Sequence, residues 1–263
     1  MDFNAILLAV AVISVLGLLI GLFLGIAGEK LKVEVNEKEI EVRECLPGNN
    51  CGGCGFAGCD ALAKAIADGK AEVGACPVGG KQVADKIAAV MGVEAGEVLR
   101  MAAVVRCKGT CDNAKSKYNY VGINDCRDVT IVPGAGDKAC SFGCLGYGTC
   151  ASVCDNDAIT VIDGVAVVDK EKCIGCGKCI KACPKHVIEL IPYDAEHVVK
   201  CSSKDKGKTV KDICKTGCIG CSLCAKNCEN EAITMVDNLP QIDYSKCTGC
   251  GKCAEKCPVK VIS

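Results

Sequence analysis

Tryptophan is absent from this chain of 263 residues, and tyrosine and phenylalanine contribute only 5 and 4. Aromatic side chains supply much of the energy of an ordinary large core, so something else must fill part of the interior. Histidine is as scarce, with only His186 and His197, which leaves little room for imidazole ligation or a conventional hydrolytic site. There is no phosphate loop, no G-x-G-x-x-G fingerprint and no nucleophile triad. The chain itself is therefore not expected to bind NAD or flavin. Basic residues are not interleaved with the aromatics that stack on bases, so nucleic acid is not an expected partner. Neither charge sign dominates: 31 Lys and Arg face 32 Asp and Glu, for a formal net charge of −1.

Cysteine and glycine are what the sequence has in excess, at 26 and 30 residues. A cysteine fraction near 10% belongs to disulfide scaffolds or to metal proteins. The first segment decides between them. From Ala5 to Ala27 no residue carries a charge. As a helix at 1.5 Å per residue this run spans ~34 Å, enough for the ~30 Å hydrocarbon core of a bilayer. A cleaved signal peptide would need a basic start and a shorter apolar stretch, and Met1, Asp2, Phe3 and Asn4 carry no positive charge. The run is read as a single transmembrane anchor. Lys30, Lys32, Lys38 and Arg43 follow it, which places the remainder on the cytoplasmic side, in a reducing compartment where disulfides are rare. Gly17, Gly21, Gly25 and Gly28 are either a helix-packing face or ordinary membrane-helix glycines. Next, Val33, Val35, Ile40 and Val42 alternate with charges, a pattern expected to form a short hairpin around residues 36–38.

The first cysteine group, Cys51, Cys54, Cys59 and Cys76, is spaced C-x2-C-x4-C-x16-C within LPGNNCGGCGFAGC and ACPVGG. Gly52, Gly53, Gly55 and Gly58 let the backbone wrap closely around a bulky inorganic object. Four thiolates suit either zinc or a cubane iron–sulfur cluster. Helices are expected over residues 60–70 and 81–91. Cys45 is expected to be a bystander.

The remaining cysteines form a duplication. Cys173, Cys176, Cys179 and Cys183 precede Pro184 as C-x2-C-x2-C-x3-C-P, and Cys247, Cys250, Cys253 and Cys257 precede Pro258 in the same way. This is the bacterial [4Fe–4S] run, in which the fourth Cys serves the other cluster of the pair. Each run has an upstream mate. Cys218, Cys221, Cys224 and Cys228 form one; Cys144, Cys150 and Cys154 form a degenerate other. The offsets from Cys144 to Cys218, Cys154 to Cys228, Cys173 to Cys247 and Cys183 to Cys257 are all 74 residues, so one module occurs twice. In that register Tyr147 stands at the position matching Cys221, so the first module lacks its second Cys. Cys140 is taken as its replacement, and Cys140 itself has Cys214 as counterpart. The expected sets are Cys140, Cys144, Cys150 and Cys183; Cys154, Cys173, Cys176 and Cys179; Cys218, Cys221, Cys224 and Cys257; and Cys228, Cys247, Cys250 and Cys253. Asp155 and Glu229 stand where Pro usually follows the crossing cysteine. The stretches AITVID, VIEL, AITMVD and VIS read as the small strands of the ferredoxin fold.

Six cysteines are left over: Cys45, Cys107, Cys111, Cys126, Cys201 and Cys214. Cys107, Cys126, Cys201 and Cys214 are read as a further cluster, with Cys111 as substitute; otherwise they are buried structural thiols. The count is then five or six [4Fe–4S] clusters. Each oxidised cubane on four thiolates carries roughly −2, so local amide donors and Lys must soften the charge. From Lys170 onward there are 16 Lys against 11 Asp and Glu. Lys200, Lys204, Lys206, Lys208, Lys211 and Lys215 lie between the modules, either as a dock for an acidic electron carrier or as a solvated basic loop.

The expected fold is thus α+β: a transmembrane anchor (1–28), a small helical [4Fe–4S] domain with a short hairpin (29–92), a connecting region (93–139), a first ferredoxin-like module (140–192), a Lys-rich connector (193–217) and a second module (218–263). An anchor followed by LPGNNCGGCGFAGC and CPVGG, then RCKGTC, GCLGYGTC and two ferredoxin modules, resembles the RnfB family of the Rnf complex over essentially the whole chain. The resemblance implies a redox subunit of a membrane complex coupling ferredoxin:NAD electron transfer to sodium or proton translocation. By that resemblance the chain takes electrons from soluble reduced ferredoxin and relays them to partner subunits that carry flavin, iron–sulfur and NAD sites. It implies no active site of its own, and a C-terminal docking end. Two alternatives remain: a membrane-anchored polyferredoxin serving another oxidoreductase such as a hydrogenase, and a zinc-binding interaction module.

Overall fold

The computed structural model describes residues 3–30, 36–96 and 98–263. Helix α1 covers Phe3–Lys30; its side chains are described over 11–27, where Ile13, Leu18 and Phe23 are exposed. Among the described residues no helix is long and apolar enough to cross a membrane; the expected span starts at Ala5, outside the described side chains.

The expected hairpin is not found. Residues 31–35 lie outside the described residues, and Glu37–Cys45 is a helix, α2. Its determinants are local. The Asn36 side chain caps it by accepting from the Lys38 N–H at 3.1 Å, and Glu37 and Glu39 sit in its first turn, where the helix dipole favours acids. Val42 is fully buried while Ile40 is half exposed, so the apparent alternation marks one buried helical position. Helix α3 (Cys59–Ala67) and helix α4 (Gly80–Met91) follow close to their expected bounds. Val42, Leu62, Ile66 and Ile87 make the core of this small helical domain together with Cys59 and Cys76.

Strand β1 (Met101–Val105) lies in the stretch read as a connector. It pairs antiparallel with β4 (Ile188–Pro192), from Met101 against Pro192 to Val105 against Ile188. Helix α5 (Cys126–Ile131) follows β1. The first module then runs α6 (Thr149–Ser152), β2 (Ile159–Ile162), β3 (Val165–Val168), α7 (Lys178–Ala182) and β4. After α8 (Gly207–Ile213) the second module runs α9 (Leu223–Lys226), β5 (Ile233–Val236), β6 (Leu239–Ile242) and α10 (Lys252–Glu255). The starts of α6 and α9, β2 and β5, β3 and β6, and α7 and α10 are each 74 residues apart, the same offset as the cysteines.

Both hairpins turn on two residues with positive φ. These are Asp163 and Gly164 between β2 and β3, and Asp237 and Asn238 between β5 and β6, the pairs that a tight two-residue hairpin favours. The expected final strand, VIS, contributes one bridge, Val199 to Ile262. Cysteines fill the place aromatics would take. Cys144, Cys150, Cys179 and Cys183 belong to the core of the first module, and Cys218, Cys224, Cys253 and Cys257 to that of the second.

Candidate metal centres

The chain gathers its thiols in sets. In the first domain Cys59 opens α3, its N–H held by Asn50 Oδ1 at 2.8 Å. Cys76 is buried beside Cys59 and Cys54; burial pushes its thiol up, against backbone donors from Gly79 and Val78. Cys51 sits at the edge of this group, where it lines one cavity with Cys154, Cys173, Cys176 and Cys179. The two groups touch. A side chain on Gly53 would place its first carbon 2.8 Å from the Cys176 carbonyl oxygen, so only glycine fits that approach.

The second set is Cys154, Cys173, Cys176 and Cys179. Burial pushes the Cys179 thiol up to about 11, with Cys173, Cys176 and Cys154 near enough to add to the shift. Amide N–H groups point at two of the sulfurs: Ala103 N–H at 3.3 Å from Cys173 Sγ and Ala158 N–H at 3.4 Å from Cys154 Sγ.

The third and fourth sets differ from the expectation. Cys126, not Cys140, joins Cys144, Cys150 and Cys183 around one cavity. Burial pushes the Cys150 thiol up to about 12, and Cys144, Cys126 and Cys183 add to it. Cys140 instead shares a cavity with Cys107, Cys201 and Cys214, and those three thiols are the ones that act on it. The expected sets thus exchange Cys126 for Cys140.

The cause lies at Tyr147. Its ring packs edge-to-face on Tyr120 at 5.4 Å, in a small core with Cys126, Val129 and Leu145. The segment that carries Tyr120 also delivers Cys126 at the start of α5. There the Cys126 N–H donates to buried Thr149 Oγ1 at 2.7 Å, and Thr149 Oγ1 donates to Asp125 Oδ1 at 3.1 Å. Asp125 caps α5 through the Arg127 N–H, and that partner holds its carboxyl well below the usual range. One signal for the exchange was present in the sequence. Cys140 precedes Cys144 by four, as Cys214 precedes Cys218, so the duplication assigns Cys140 and Cys214 the same role.

The fourth set lies where the modules meet. Lys115 N–H donates to Ile213 O at 2.9 Å and Lys215 N–H to Asn113 O at 2.8 Å, and Ser202 Oγ donates to Arg106 O at 2.9 Å. Cys201 Sγ accepts from the N–H of Cys218 at 3.3 Å. Added carbons on Gly109 or Gly143 would stand 3.5–3.6 Å from these sulfurs. In the second module Cys218 lies with Cys224, Cys257 and Cys221. Cys253 lies with Cys247 and Cys250, and Cys228 packs on the same core. Cys221 and Cys250 are exposed. Cys45 ends α2 against the first domain's core, and Cys111 is exposed. The acids in the usual proline positions are used in the same way in both modules: Asp155 pairs with Lys178 and Glu229 with Lys252.

Among the described residues no group of His, Cys, Asp and Glu is placed to hold a single metal ion. The all-thiol sets around cavities, with amide N–H groups aimed at sulfur, fit cubane iron–sulfur clusters, whose potentials such donors tune. Thiols pushed up by burial are protonated in the bare protein, so cluster binding displaces those protons.

Three family profiles match the chain. One described as "Putative Fe-S cluster" covers residues 46–78, a 4Fe-4S binding domain covers 166–189, and a 4Fe-4S dicluster domain covers 217–261. The chain is 48% identical to the B subunit of the Na(+)-translocating ferredoxin:NAD(+) oxidoreductase complex of Acetobacterium woodii, over 99% of this chain and 78% of that protein. It is 43% identical to the B subunit of an ion-translocating oxidoreductase complex of Methanosarcina acetivorans, over 97% and 96%. To the B subunit of the proton-translocating ferredoxin:NAD(+) oxidoreductase complex of Clostridium ljungdahlii it is 40% identical, over 92% and 86%.

Proposed function

The chain belongs to the RnfB family, the B subunits of ion-translocating oxidoreductase complexes, and from that premise we propose that it receives electrons from reduced ferredoxin and passes them along a file of six [4Fe–4S] clusters. It is an iron–sulfur electron-transfer subunit of a membrane-associated complex. The observation that carries the file is the sharing of neighbours between consecutive thiol sets. Cys51 and Gly53 adjoin the Cys154–Cys173–Cys176–Cys179 set. That set is interleaved with Cys144, Cys150 and Cys183 in one core. Cys107 acts on both Cys144 and Cys140, which leads to the junction set. Cys201 accepts from Cys218, which leads into the second module.

On this reading each set of four thiolates holds one cluster, which supplies one-electron storage when bound. The protein holds the clusters in line, excludes water from the buried sulfurs and donates N–H groups to them. Cys45 and Cys111 ligate nothing. The exposed thiols Cys221 and Cys250 and the Lys-rich stretch before them support the second module as the docking end for an acidic carrier. The uncharged run 5–27 and the outward Ile13, Leu18 and Phe23 of α1 support a single-pass membrane anchor, and Lys30, Lys32, Lys38 and Arg43 after it support cluster domains on the cytoplasmic side. Other subunits of the complex would supply flavin and NAD.

The test is direct reduction. Anaerobically purified full-length chain is mixed with reduced ferredoxin, and the visible cluster absorption is followed. Rapid bleaching that slows as salt is raised is expected. No bleaching, with clusters that dithionite still reduces, would refute ferredoxin as the donor.

A further inference from the structure

Lys138 stands outside every thiol set, yet among the described residues it is the one buried side chain that carries a full charge, at 7% exposure. Its Nζ donates to Gly109 O at 2.8 Å and to Gly164 O at 2.7 Å. No ion pair among the described residues includes it. Burying an ammonium without a counter-charge is costly, and two neutral carbonyls recover only part of that cost. Buried lysines are therefore paired almost without exception.

The surroundings identify the missing anion. Lys138 lines the junction cavity with Cys107, Cys140, Cys201 and Cys214, and Lys108 and Lys200 line it too; no Asp or Glu does. Lys108 is held over the junction by donating from Nζ to Lys260 O at 3.1 Å. Three lysines thus line the cavity of four cysteines with no acid among them, and Lys138 also acts on Cys144 of the adjoining set. The arrangement is specific to this place. The 74-residue offset maps Lys138 onto Asp212, which is exposed in α8, so the second module has no buried cation at the matching position. By contrast the cavity of the second set has Asp155 beside Lys178 in its wall.

We propose that Lys138, supported by Lys108 and Lys200, makes the junction set the electropositive centre of the chain, so that a cluster bound there is reduced more easily than its neighbours in the second module. The inference rests on the six-cluster reading. A cluster gains one negative charge on reduction, and a cation fixed nearby in a poorly screened interior stabilises that charge. Lys138 is a positioning residue in this sense, because it acts on the cluster through space without ligating it. The junction then serves as the place where an electron crossing between modules comes to rest.

The test uses the full-length chain, purified anaerobically, with iron and labile sulfide assayed before a redox titration followed by electron paramagnetic resonance. Lys138→Gln keeps a hydrogen-bond donor and removes the charge. The expected result is full iron, one midpoint moved to more negative potential and the midpoints of the second module unmoved; Lys138→Arg should stay near the native value. Full iron with every midpoint unmoved overturns the proposal. If Lys138→Gln loses iron, the double variant Lys108→Gln with Lys200→Gln decides: a shift in the same direction supports the proposal and an unmoved midpoint overturns it. Failure of the six-cluster reading shows separately, in the native chain, as about 20 iron atoms at four per cubane.

Discussion

The two ferredoxin modules share an offset, a hairpin and an ion pair, yet one is crowded and the other open. In the first module the Gly52–Gly53 turn of the N-terminal domain presses on Cys176; its counterpart in the second module, Cys250, is exposed. Tyr147 and α5 close over the first module's other set, while Cys221, at the position matching Tyr147, is exposed. Thr149, 2% exposed, matches Leu223, 41% exposed. The comparison teaches that a duplicated unit is altered where it is joined on both sides and left simple where it ends a file. On the proposed ligation the first module takes one ligand, Cys126, from the segment before it, and Cys140 lies with Cys214, its match across the duplication.

The sharpest way to break the comparison is to undo that difference. Cys126→Ala should lose the irons of one cluster, about four at cubane stoichiometry. Adding Tyr147→Cys to that variant restores the second module's pattern and should recover them; iron that stays low in the double variant would argue against Cys126 as the substitute. A smaller effect is expected at the bond that seats the insertion. Thr149→Val removes the acceptor for the buried Cys126 N–H and should cost about 1–3 kcal/mol, read as a shift in the denaturation midpoint. Leu223→Val at the matching site of the second module removes no hydrogen bond and should change stability far less.

The N-terminal contact offers a third comparison. Gly53→Ala puts a carbon against the Cys176 carbonyl and should weaken magnetic coupling between the first domain's cluster and its neighbour with iron content unchanged. Unaltered coupling would mean the domain does not dock there. Smallest of all should be the paired acids. Asp155→Asn and Glu229→Gln remove exposed ion pairs that match across the duplication, so both should leave thermal stability nearly unchanged, and equally so.

Much of this was legible in the sequence because ligand spacing and duplication are local signals. Cys173, Cys176, Cys179 and Cys183 announce their chemistry without a fold. Helices α3 and α4 lie close to the ranges expected beside the first cysteine group. What was not legible depended on contacts distant in sequence. β1 forms only because β4 lies beside it, 87 residues on from Met101 to Ile188. Cys126 reaches Cys150 through contacts distant in sequence, Tyr120 on Tyr147 and the Cys126 N–H on Thr149. The segment around Val42 misled for the opposite reason. Two apolar residues at alternate positions suit a strand, and the capping role of Asn36 outweighed that pattern.

Six four-thiolate sites require 24 of the 26 cysteines. Iron and acid-labile sulfide per chain on anaerobically purified protein, with zinc measured alongside, test that requirement most directly. About 24 iron atoms with matching sulfide and no zinc, at four per cubane, is the predicted result. About 20 would leave the junction set empty, and about 16 with one zinc would further make the Cys51–Cys76 site structural; either would contradict a file of six clusters.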